Sequence, residues 1–188
     1  SKIFTKKICQ KNNIPTSKFK ICESLNETID FLKKSNFPIV IKADGLASGK
    51  GVYICKSFDE AKTASEEIFN GKFGAAEEIL VEEFLDGEEM SYFIVTDGKD
   101  YKFFGSAQDH KRVGENDTGL NTGGMGAYSP SRLENDLLDE KIIKKMIKPT
   151  LKALNDYGVE FKGFLYAGLM IIDNEPYLIE YNVRMGDP

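Results

Sequence analysis

The stretch around residues 38–55 constrains the fold more than any other part of the sequence. Two short apolar runs, 39–41 and 52–54, are typical of β-strands, and a glycine-rich loop joins them. The loop and its entry carry three glycines and two lysines: Lys42, Gly45, Gly49, Lys50 and Gly51. Glycines lack a Cβ and let backbone N–H groups approach an anion closely, while the lysines add positive charge. The pattern predicts a phosphate-binding loop between two strands, and a flexible glycine hairpin with surface lysines is the alternative.

The loop does not fit the Walker A motif, which is its nearest sequence competitor. The gap between Gly45 and Gly49 is one residue short, and Gly51 stands where that motif places a metal-binding hydroxyl. A second strand, rather than a helix, follows the loop. The sequence therefore indicates a nucleotide-binding fold of another kind.

Composition excludes several function classes. The chain has 188 residues, 41% of them hydrophobic and 29% charged, which is typical of a globular protein with one large domain or two small ones. A net charge of −5 argues against non-specific nucleic-acid binding. Neither a signal peptide nor a membrane-spanning run is expected, and three scattered cysteines favour a reducing, cytoplasmic compartment. A single histidine, His110, leaves little room for zinc or triad chemistry, whereas phosphate chemistry needs lysine, arginine, glycine and carboxylates.

Periodicity predicts an α+β fold. Helical spacing indicates helices over 2–12, after Ser24, after Ser57 and over 133–157, where Pro149 should kink the helix or start a new one. Strands are predicted at 19–22, 38–42, 52–55, 79–85, 90–96, 101–106, 164–172 and 177–181. Residues 107–130 form a long glycine-rich segment without periodicity, which is typical of a functional loop.

Acidic residues surround the end of the predicted strand 79–85: Glu82, Glu83, Asp86, Glu88 and Glu89. Backbone groups at a strand end can pair with a flat base, and a nearby carboxylate can accept hydrogen bonds from ribose hydroxyls. The segment is therefore a candidate adenosine site, and a solvated acidic turn is the alternative.

Two further constellations could carry chemistry. The long segment contains Asp109, His110, Lys111 and Arg112 ahead of a second glycine run, a set suited to an anionic ligand or a transferred phosphoryl group. Along the last strand, Glu180, Asn182 and Arg184 alternate and should share one face, and Ile179, Tyr181 and Val183 should share the other. Glutamate and asparagine oxygens suit Mg²⁺, which would place Arg184 beside a terminal phosphate. A disordered charged loop and an ordinary half-exposed strand are the respective alternatives.

In this order, these residues resemble the ATP-grasp enzymes and, more closely, the phosphoribosylamine–glycine ligase family (glycinamide ribonucleotide synthetases) of purine biosynthesis. The matching segments cover essentially the whole chain: 41–52, 82–89, 108–114, 121–130, 163–170 and 180–188. The resemblance implies an α+β ATP-grasp fold with a leading helix at 1–15. A small lid subdomain at 16–77 and a larger antiparallel-sheet core subdomain with helices at 78–188, truncated at its C-terminus, would follow.

The resemblance also implies roles for individual residues. ATP would be a co-substrate, held by Lys42, Gly45, Ser48, Gly49, Lys50, Gly51, Glu82, Glu83, Phe84, Leu85 and Glu89. Glu180 and Asn182 would bind Mg²⁺ or Mn²⁺. The residues closest to the reacting groups would be Arg184, Lys111, Arg112 and Asp109.

The implied reaction joins glycine to 5-phosphoribosylamine through a glycyl phosphate, with ATP going to ADP and phosphate. Two features depart from the family: residues 166–170 lack the further acidic metal ligand found in many ATP-grasp enzymes, and the flanking domains are missing. The isolated chain, expected to be a cytoplasmic monomer without nucleic-acid or membrane partners, should bind Mg-ATP weakly and turn over little. The alternatives are another ATP-grasp carboxylate–amine ligase and a non-catalytic ATP-binding module.

Overall fold

The chain divides into two compact units, each with its own sheet and its own hydrophobic core. The computed structural model describes residues 1–44, 51–110, 112–114, 118–122 and 125–185. The first unit comprises Ser1–Lys7 and Ser17–Leu85, and the second comprises Ile8–Thr16 and Asp86–Pro188. The predicted boundary after residue 77 differs from this division, because the strand that follows it pairs within the sheet of the first unit.

The first unit is a four-stranded antiparallel sheet with three helices. Its elements are α1 (Lys2–Lys11, whose last residues belong to the second unit), β1 (Phe19–Cys22), α2 (Leu25–Leu32), β2 (Ile39–Ala43), β3 (Val52–Cys55), α3 (Phe58–Phe69) and β4 (Ile79–Glu83). The strand order is β1-β4-β2-β3. Ser24 and Ser57 cap α2 and α3 by accepting hydrogen bonds from the Glu27 and Glu60 amides, as predicted.

The second unit is a five-stranded antiparallel sheet covered on one face by helices. Its elements are β5 (Glu88–Thr96), β6 (Tyr101–Asp109), β7 (Arg112–Gly114), β8 (Thr118–Asn121), β9 (Ala127–Tyr128), α4 (Asp136–Ile142), α5 (Lys148–Asp156), β10 (Gly163–Ile172) and β11 (Glu175–Asn182). The main sheet has the order β11-β10-β5-β6-β9, and β7 and β8 form a separate ribbon. The core lies between α4, α5 and the even-numbered residues of β5, where Tyr92 and Ile94 are almost fully buried.

Three sequence predictions need correction in detail. The segment 107–130 contains regular structure, because β6 continues to Asp109 and pairs with β9. The predicted helix 133–157 is interrupted by a π-helical stretch, Ile143–Ile147. Pro149 lies in the first turn of the helix that follows, which is one of the two outcomes predicted for it. The predicted strand 79–85 ends at Glu83.

All three cysteines are buried, and none of them forms a disulfide bond. Within the described ranges, no helix combines the length and the apolar character needed to cross a membrane.

Candidate functional site

A buried ion cluster lies in the first unit and includes Lys42, near the end of β2. The Glu82 carboxylate on β4 is 2.8 Å from Lys42 Nζ on β2 through Oε1, and 2.9 Å from Lys6 Nζ on α1 through Oε2. The three side chains are only 4%, 9% and 2% exposed, respectively. Ser17 ties the cluster together, because its hydroxyl accepts from Lys6 Nζ at 2.7 Å and donates to Glu82 Oε2.

The electrostatics of the cluster favour the ionised carboxylate. Burial alone would raise the pKa of Glu82, but the adjacent ammonium groups of Lys42 and Lys6 and the hydrogen bonds from Lys42 and Ser17 outweigh it, so the pKa lies below its ordinary value. Strand pairing sets this geometry, since Val40 lies opposite Glu82, so that β2 and β4 run side by side where Lys42 and Glu82 meet. Two lysines and one carboxylate leave one net positive charge.

Sequence reasoning did not find Lys6. One signal was available: Lys6 lies three residues after Ile3 and three before Cys9, both of which are buried, so it occupies the apolar face of α1. A lysine on such a face requires a buried partner, because an uncompensated buried charge is costly. The partner, Glu82, is far away in sequence and could not be identified from spacing.

The base of the glycine-rich loop is closed and anchored to the start of α1. The Ala43 amide donates to the Gly51 carbonyl at 2.8 Å. Asp44 Oδ1 accepts from the Lys2 and Ile3 amides at 2.7 and 3.1 Å, so it caps α1 from a distant part of the chain. Lys2 Nζ also donates to the Ala43 carbonyl at 2.9 Å. Four predicted ATP-binding residues lie outside the described residues: Gly45, Ser48, Gly49 and Lys50.

The predicted adenosine segment is only partly regular. Glu83 ends β4, where its amide donates to the Lys18 carbonyl at 2.9 Å and its carboxylate accepts from the Lys18 amide at 2.7 Å. Phe84 and Leu85 follow as half-buried, irregular residues. Glu89 is exposed on β5 in the second unit. Glu82 itself directs its carboxylate into the ion cluster, which leaves the backbone of the following residues as the groups that could face a base.

A β-bulge in the second unit determines on which face of the sheet the predicted metal ligands lie. Gly168 on β10 lies opposite Glu180, whereas the next residue, Leu169, lies opposite Leu178, so Ile179 is the extra residue on β11. Leu178 before the bulge is therefore buried in the core, while Glu180 after it projects to the opposite face. The sequence prediction grouped Ile179 with Tyr181 on one face, and the bulge makes Leu178 the buried neighbour instead.

Glu180 and Asn182 share a face, as predicted, with polar neighbours around them. We call Ser91, Tyr166, Gly168, Glu180 and Asn182 the polar face. Asn182 Nδ2 donates to Glu180 Oε1 at 3.2 Å, and Ser91 Oγ donates to the Tyr166 hydroxyl at 3.4 Å. The absence of a side chain at Gly168 makes room here, because a Cβ would lie 3.2 Å from Glu180 Cγ and 3.1 Å from the Tyr166 hydroxyl.

The donor set of the polar face fits a hard divalent cation. One carboxylate and one amide oxygen, both half-buried, are the kind of ligands that Mg²⁺ accepts, with water and phosphate oxygens completing its octahedron. No group of three or more His, Cys, Asp or Glu side chains suited to a metal occurs in the described part of the chain. A cage made entirely of such protein ligands is therefore not formed by these residues, and Glu180 with Asn182 is the pair available.

The segment that carries Asp109 and His110 is fastened to the second sheet by backbone pairing. Asp109 ends β6, half-buried and opposite Ala127, and the His110 amide donates to the Gly126 carbonyl at 2.9 Å. The Met125 amide in turn donates to the His110 carbonyl at 2.7 Å. The position of Lys111 and the side chain of Arg112 lie outside the described structure.

A buried glutamine holds both ends of this segment. Gln108 Nε2 donates to the Glu89 carbonyl at 3.3 Å, while its Oε1 accepts from the Tyr128 hydroxyl at 2.6 Å and from Ser131 Oγ at 3.0 Å. The Ser131 amide donates to Ser106 Oγ at 3.0 Å. Sequence reasoning did not single out Gln108, since its partners become visible only when β6 and β9 pair.

Arg184 lies beyond the end of β11. Its side chain is exposed and donates to the Met185 carbonyl at 2.9 Å. The strand ends at Asn182, so the predicted alternation of Glu180, Asn182 and Arg184 holds for the first two only. Among the residues predicted for one face, Glu180 and Asn182 are thus the two that the structure brings into contact.

Comparisons with known proteins agree with this geometry. The model of the family described as phosphoribosylglycinamide synthetase, ATP-grasp (A) domain, matches residues 1–188. Phosphoribosylamine–glycine ligases from Rhizobium meliloti (strain 1021) and Mesorhizobium japonicum are 50% and 49% identical over 189 residues. These matches cover 100% of this chain and 45% and 44% of the respective relatives.

A solved structure agrees as well. The crystal structure of phosphoribosylamine–glycine ligase from Thermotoga maritima superposes with a TM-score of 0.92 at 38% identity, covering 100% of this chain and 48% of that one. The predicted α+β ATP-grasp fold is thereby confirmed. The chain spans about half the length of the proteins it matches.

Proposed function

Because this chain belongs to the phosphoribosylglycinamide synthetase ATP-grasp (A) domain family, we propose that it is the nucleotide-binding part of an ATP-dependent carboxylate–amine ligase. The substrates proposed are glycine and 5-phosphoribosylamine, the pair expected from the ligases that it resembles. The observation that carries the proposal is Lys42, whose ammonium group is held by buried Glu82 on the strand that enters the glycine-rich loop.

The proposed reaction has two steps. A glycine carboxylate oxygen attacks the γ-phosphorus of ATP in line, so that the bond to the β–γ bridging oxygen breaks and ADP leaves. The amine of phosphoribosylamine then attacks the carbonyl carbon of glycyl phosphate, phosphate leaves, and the nitrogen loses a proton as the amide forms. Such chemistry depends on positioning and charge neutralisation more than on covalent catalysis. A chain with one histidine is compatible with that requirement.

In the first unit, we assign phosphate binding to Lys42 and to the loop that begins after Asp44. The capped start of α1 and the bond from Ala43 to Gly51 fix the two ends of this loop. Such a fixed base presents backbone N–H groups to an anion without a large ordering cost. The backbone of residues 83–85 is assigned to the adenine.

In the second unit, we assign the divalent cation, Mg²⁺ or Mn²⁺, to Glu180 and Asn182. When bound, the cation would neutralise charge on nucleotide phosphates. Glu180 supplies a carboxylate and Asn182 an amide oxygen, and Gly168 leaves space above them. Glu89 is assigned to the ribose.

The remaining predicted residues are assigned to the substrates. Asp109 lies at the fastened end of β6, and Lys111 and Arg112 follow it in sequence. Arg184 is proposed to stabilise the transferred phosphoryl group, a role that suits its exposed, planar and permanently charged side chain. Three buried cysteines without a disulfide bond are compatible with a reducing cytosolic compartment.

Product formation by the full-length protein tests the proposal. ADP release should require glycine and phosphoribosylamine together, and substitution of either by another amino acid or amine should abolish it. ADP release that is indifferent to glycine would exclude this ligase activity and favour another acid–amine pair.

Nucleotide affinity tests the assigned phosphate contact separately. Lys42→Met should weaken Mg-ATP binding by about 1.5–3 kcal/mol, the usual loss for a charge-assisted hydrogen bond. Lys34→Met, at an exposed position, is the matched control and should bind like the parent. An unchanged affinity in Lys42→Met would show that the phosphates bind elsewhere.

A further inference from the structure

The ion cluster of the first unit contains two lysines and one carboxylate, so these three side chains together carry one net positive charge. Lys42 Nζ and Lys6 Nζ lie 2.8 and 2.9 Å from the two different oxygens of Glu82. All three side chains are less than a tenth exposed, so solvent screens their charges weakly. Lys6 belongs to α1, outside the sheet that carries the other two.

A lysine that is paired with a carboxylate attracts an anion only weakly. The ion pair Lys42–Glu82 has no net charge, and a phosphate near Lys42 would be repelled by Glu82 at little greater distance. Coulomb interactions are long-ranged in a medium of low effective dielectric, so a second buried cation beside the pair changes the local potential. With Lys6 included, the cluster carries one net positive charge.

We propose that Lys6 is a positioning residue of the nucleotide site, which holds Glu82 by one oxygen and restores the positive charge that Lys42 needs to bind phosphate. This inference rests on the proposed function, since it takes the ligand of Lys42 to be a nucleoside di- or triphosphate. Lys6 does not touch the nucleotide in this account. It acts through Glu82 and through the field of the cluster.

The competing explanation is that Lys6 only attaches α1 to the sheet. Burial of Lys6 and its hydrogen bond to Ser17 are compatible with that role. The two explanations predict different changes in affinity for the phosphates and for the nucleoside of the ligand. Loss of a cation weakens binding of the phosphates and spares the nucleoside, whereas a loosened helix disturbs both.

The test compares Mg-ADP with adenosine, by calorimetry on the full-length protein and its variants. Lys6→Met keeps the length of the side chain and removes its charge. We expect the dissociation constant of Mg-ADP to rise about tenfold and that of adenosine to change less than about twofold. A second substitution, Glu82→Gln, returns the cluster of Lys6→Met to one net positive charge, so the double variant should regain most of the Mg-ADP affinity.

Ser17→Ala separates the effect of charge from the effect of geometry. It removes the hydroxyl that links Lys6 to Glu82 and leaves every charge in place, so any loss of affinity should be equal for Mg-ADP and adenosine. This variant also keeps the proposal falsifiable if Lys6→Met does not fold, because a large selective loss of Mg-ADP affinity in Ser17→Ala contradicts the charge effect. Thermal unfolding of each variant identifies those that fold.

Each outcome decides between the explanations. Equal losses for Mg-ADP and adenosine, no loss for either, or a double variant as weak as Lys6→Met would overturn the role of Lys6 and leave the proposed function standing. If Lys42→Met binds Mg-ADP like the parent, the phosphate site itself is misplaced, and both proposals fail.

Discussion

The ion cluster of the first unit and the polar face of the second unit hold their polar groups in opposite ways. In the cluster, Lys6, Glu82 and Lys42 are almost fully buried and fix one another. On the polar face, Glu180 and Asn182 are half-buried, and the one hydrogen bond described for their side chains joins them to each other. Arg184 beyond them is exposed.

This difference indicates which groups are ready for a ligand before it arrives. A buried, mutually paired set has already lost its rotamer freedom, so it can bind an anion with little further ordering. A carboxylate and an amide that are partly open to solvent become ordered when a cation binds. We therefore expect substitution of a charged residue in the cluster to affect folding and binding together, and substitution of Glu180 or Asn182 to affect binding alone.

The largest contrast is expected in stability. Glu82→Ala leaves two buried lysines without a counter-charge and should lower the free energy of unfolding by about 3–5 kcal/mol. Glu180→Ala on the polar face should change it by no more than about 0.5 kcal/mol. Urea denaturation of both variants measures the difference. Similar losses in the two would remove the distinction between the regions.

How much of this the sequence predicts depends on whether the relevant contacts are local. The caps at Ser24 and Ser57 and the two-residue alternation of Glu180 and Asn182 are local features and were predicted correctly. Lys6 and its partner lie in different elements, so spacing along the chain could not pair them.

The error on the last strand has the same origin. A bulge is invisible in a pattern of period two, which is why Ile179 was predicted to share a face with Tyr181 while Leu178 is the residue that is buried. The subdomain boundary after residue 77 stays a prediction. The strand that follows it, β4, joins the first sheet by pairing with β1 and β2, which the sequence alone does not reveal.

A second variant tests whether a buried polar residue of the second unit contributes to stability as the charged residues of the cluster do. Gln108→Met leaves the Tyr128 hydroxyl, Ser131 Oγ and the Glu89 carbonyl without their shared partner, and we expect a loss of about 1–3 kcal/mol. Hydrogen exchange should become faster at residues 125–131 and stay unchanged in β10. Tyr128→Phe removes one of the three bonds and should cost less. If the two substitutions lower stability equally, the other two hydrogen bonds of Gln108 contribute nothing measurable.

A third variant disturbs the polar face by sterics. Gly168→Ala places a Cβ 3.1–3.3 Å from Tyr166 and Glu180, so we expect a loss of about 1 kcal/mol in stability and a weaker affinity for Mn²⁺ with nucleotide. The matched control is Gly105→Ala in the same sheet, where no atom lies within 4 Å of the new Cβ. Electron paramagnetic resonance of Mn²⁺ reports the affinity. If Gly168→Ala binds Mn²⁺ as tightly as the parent, Glu180 is not a ligand of the cation.

The smallest expected effect concerns pH. The pKa of Glu82 is lowered in the folded protein because Lys42 and Lys6 outweigh the opposing effect of burial. Its stabilising contribution is therefore complete above the unfolded-state pKa, about 4.3, and is lost as the pH falls through the lower folded-state value. Urea denaturation between pH 7 and pH 3 should show a steeper loss of stability for the parent than for Glu82→Gln. Parallel curves for the parent and Glu82→Gln would contradict the lowered pKa.

The central claim is that the ion cluster is ordered before the ligand binds, whereas the polar face becomes ordered when the cation binds. Crystal structures of the full-length protein with and without Mn-ADP test it most directly. We predict that the distances from Glu82 to Lys6 and Lys42 stay the same in both. An anomalous manganese peak should lie against Glu180 and Asn182, whose mutual hydrogen bond is lost. An ion cluster that opens on binding, or a manganese ion bound away from Glu180 and Asn182, would contradict the account.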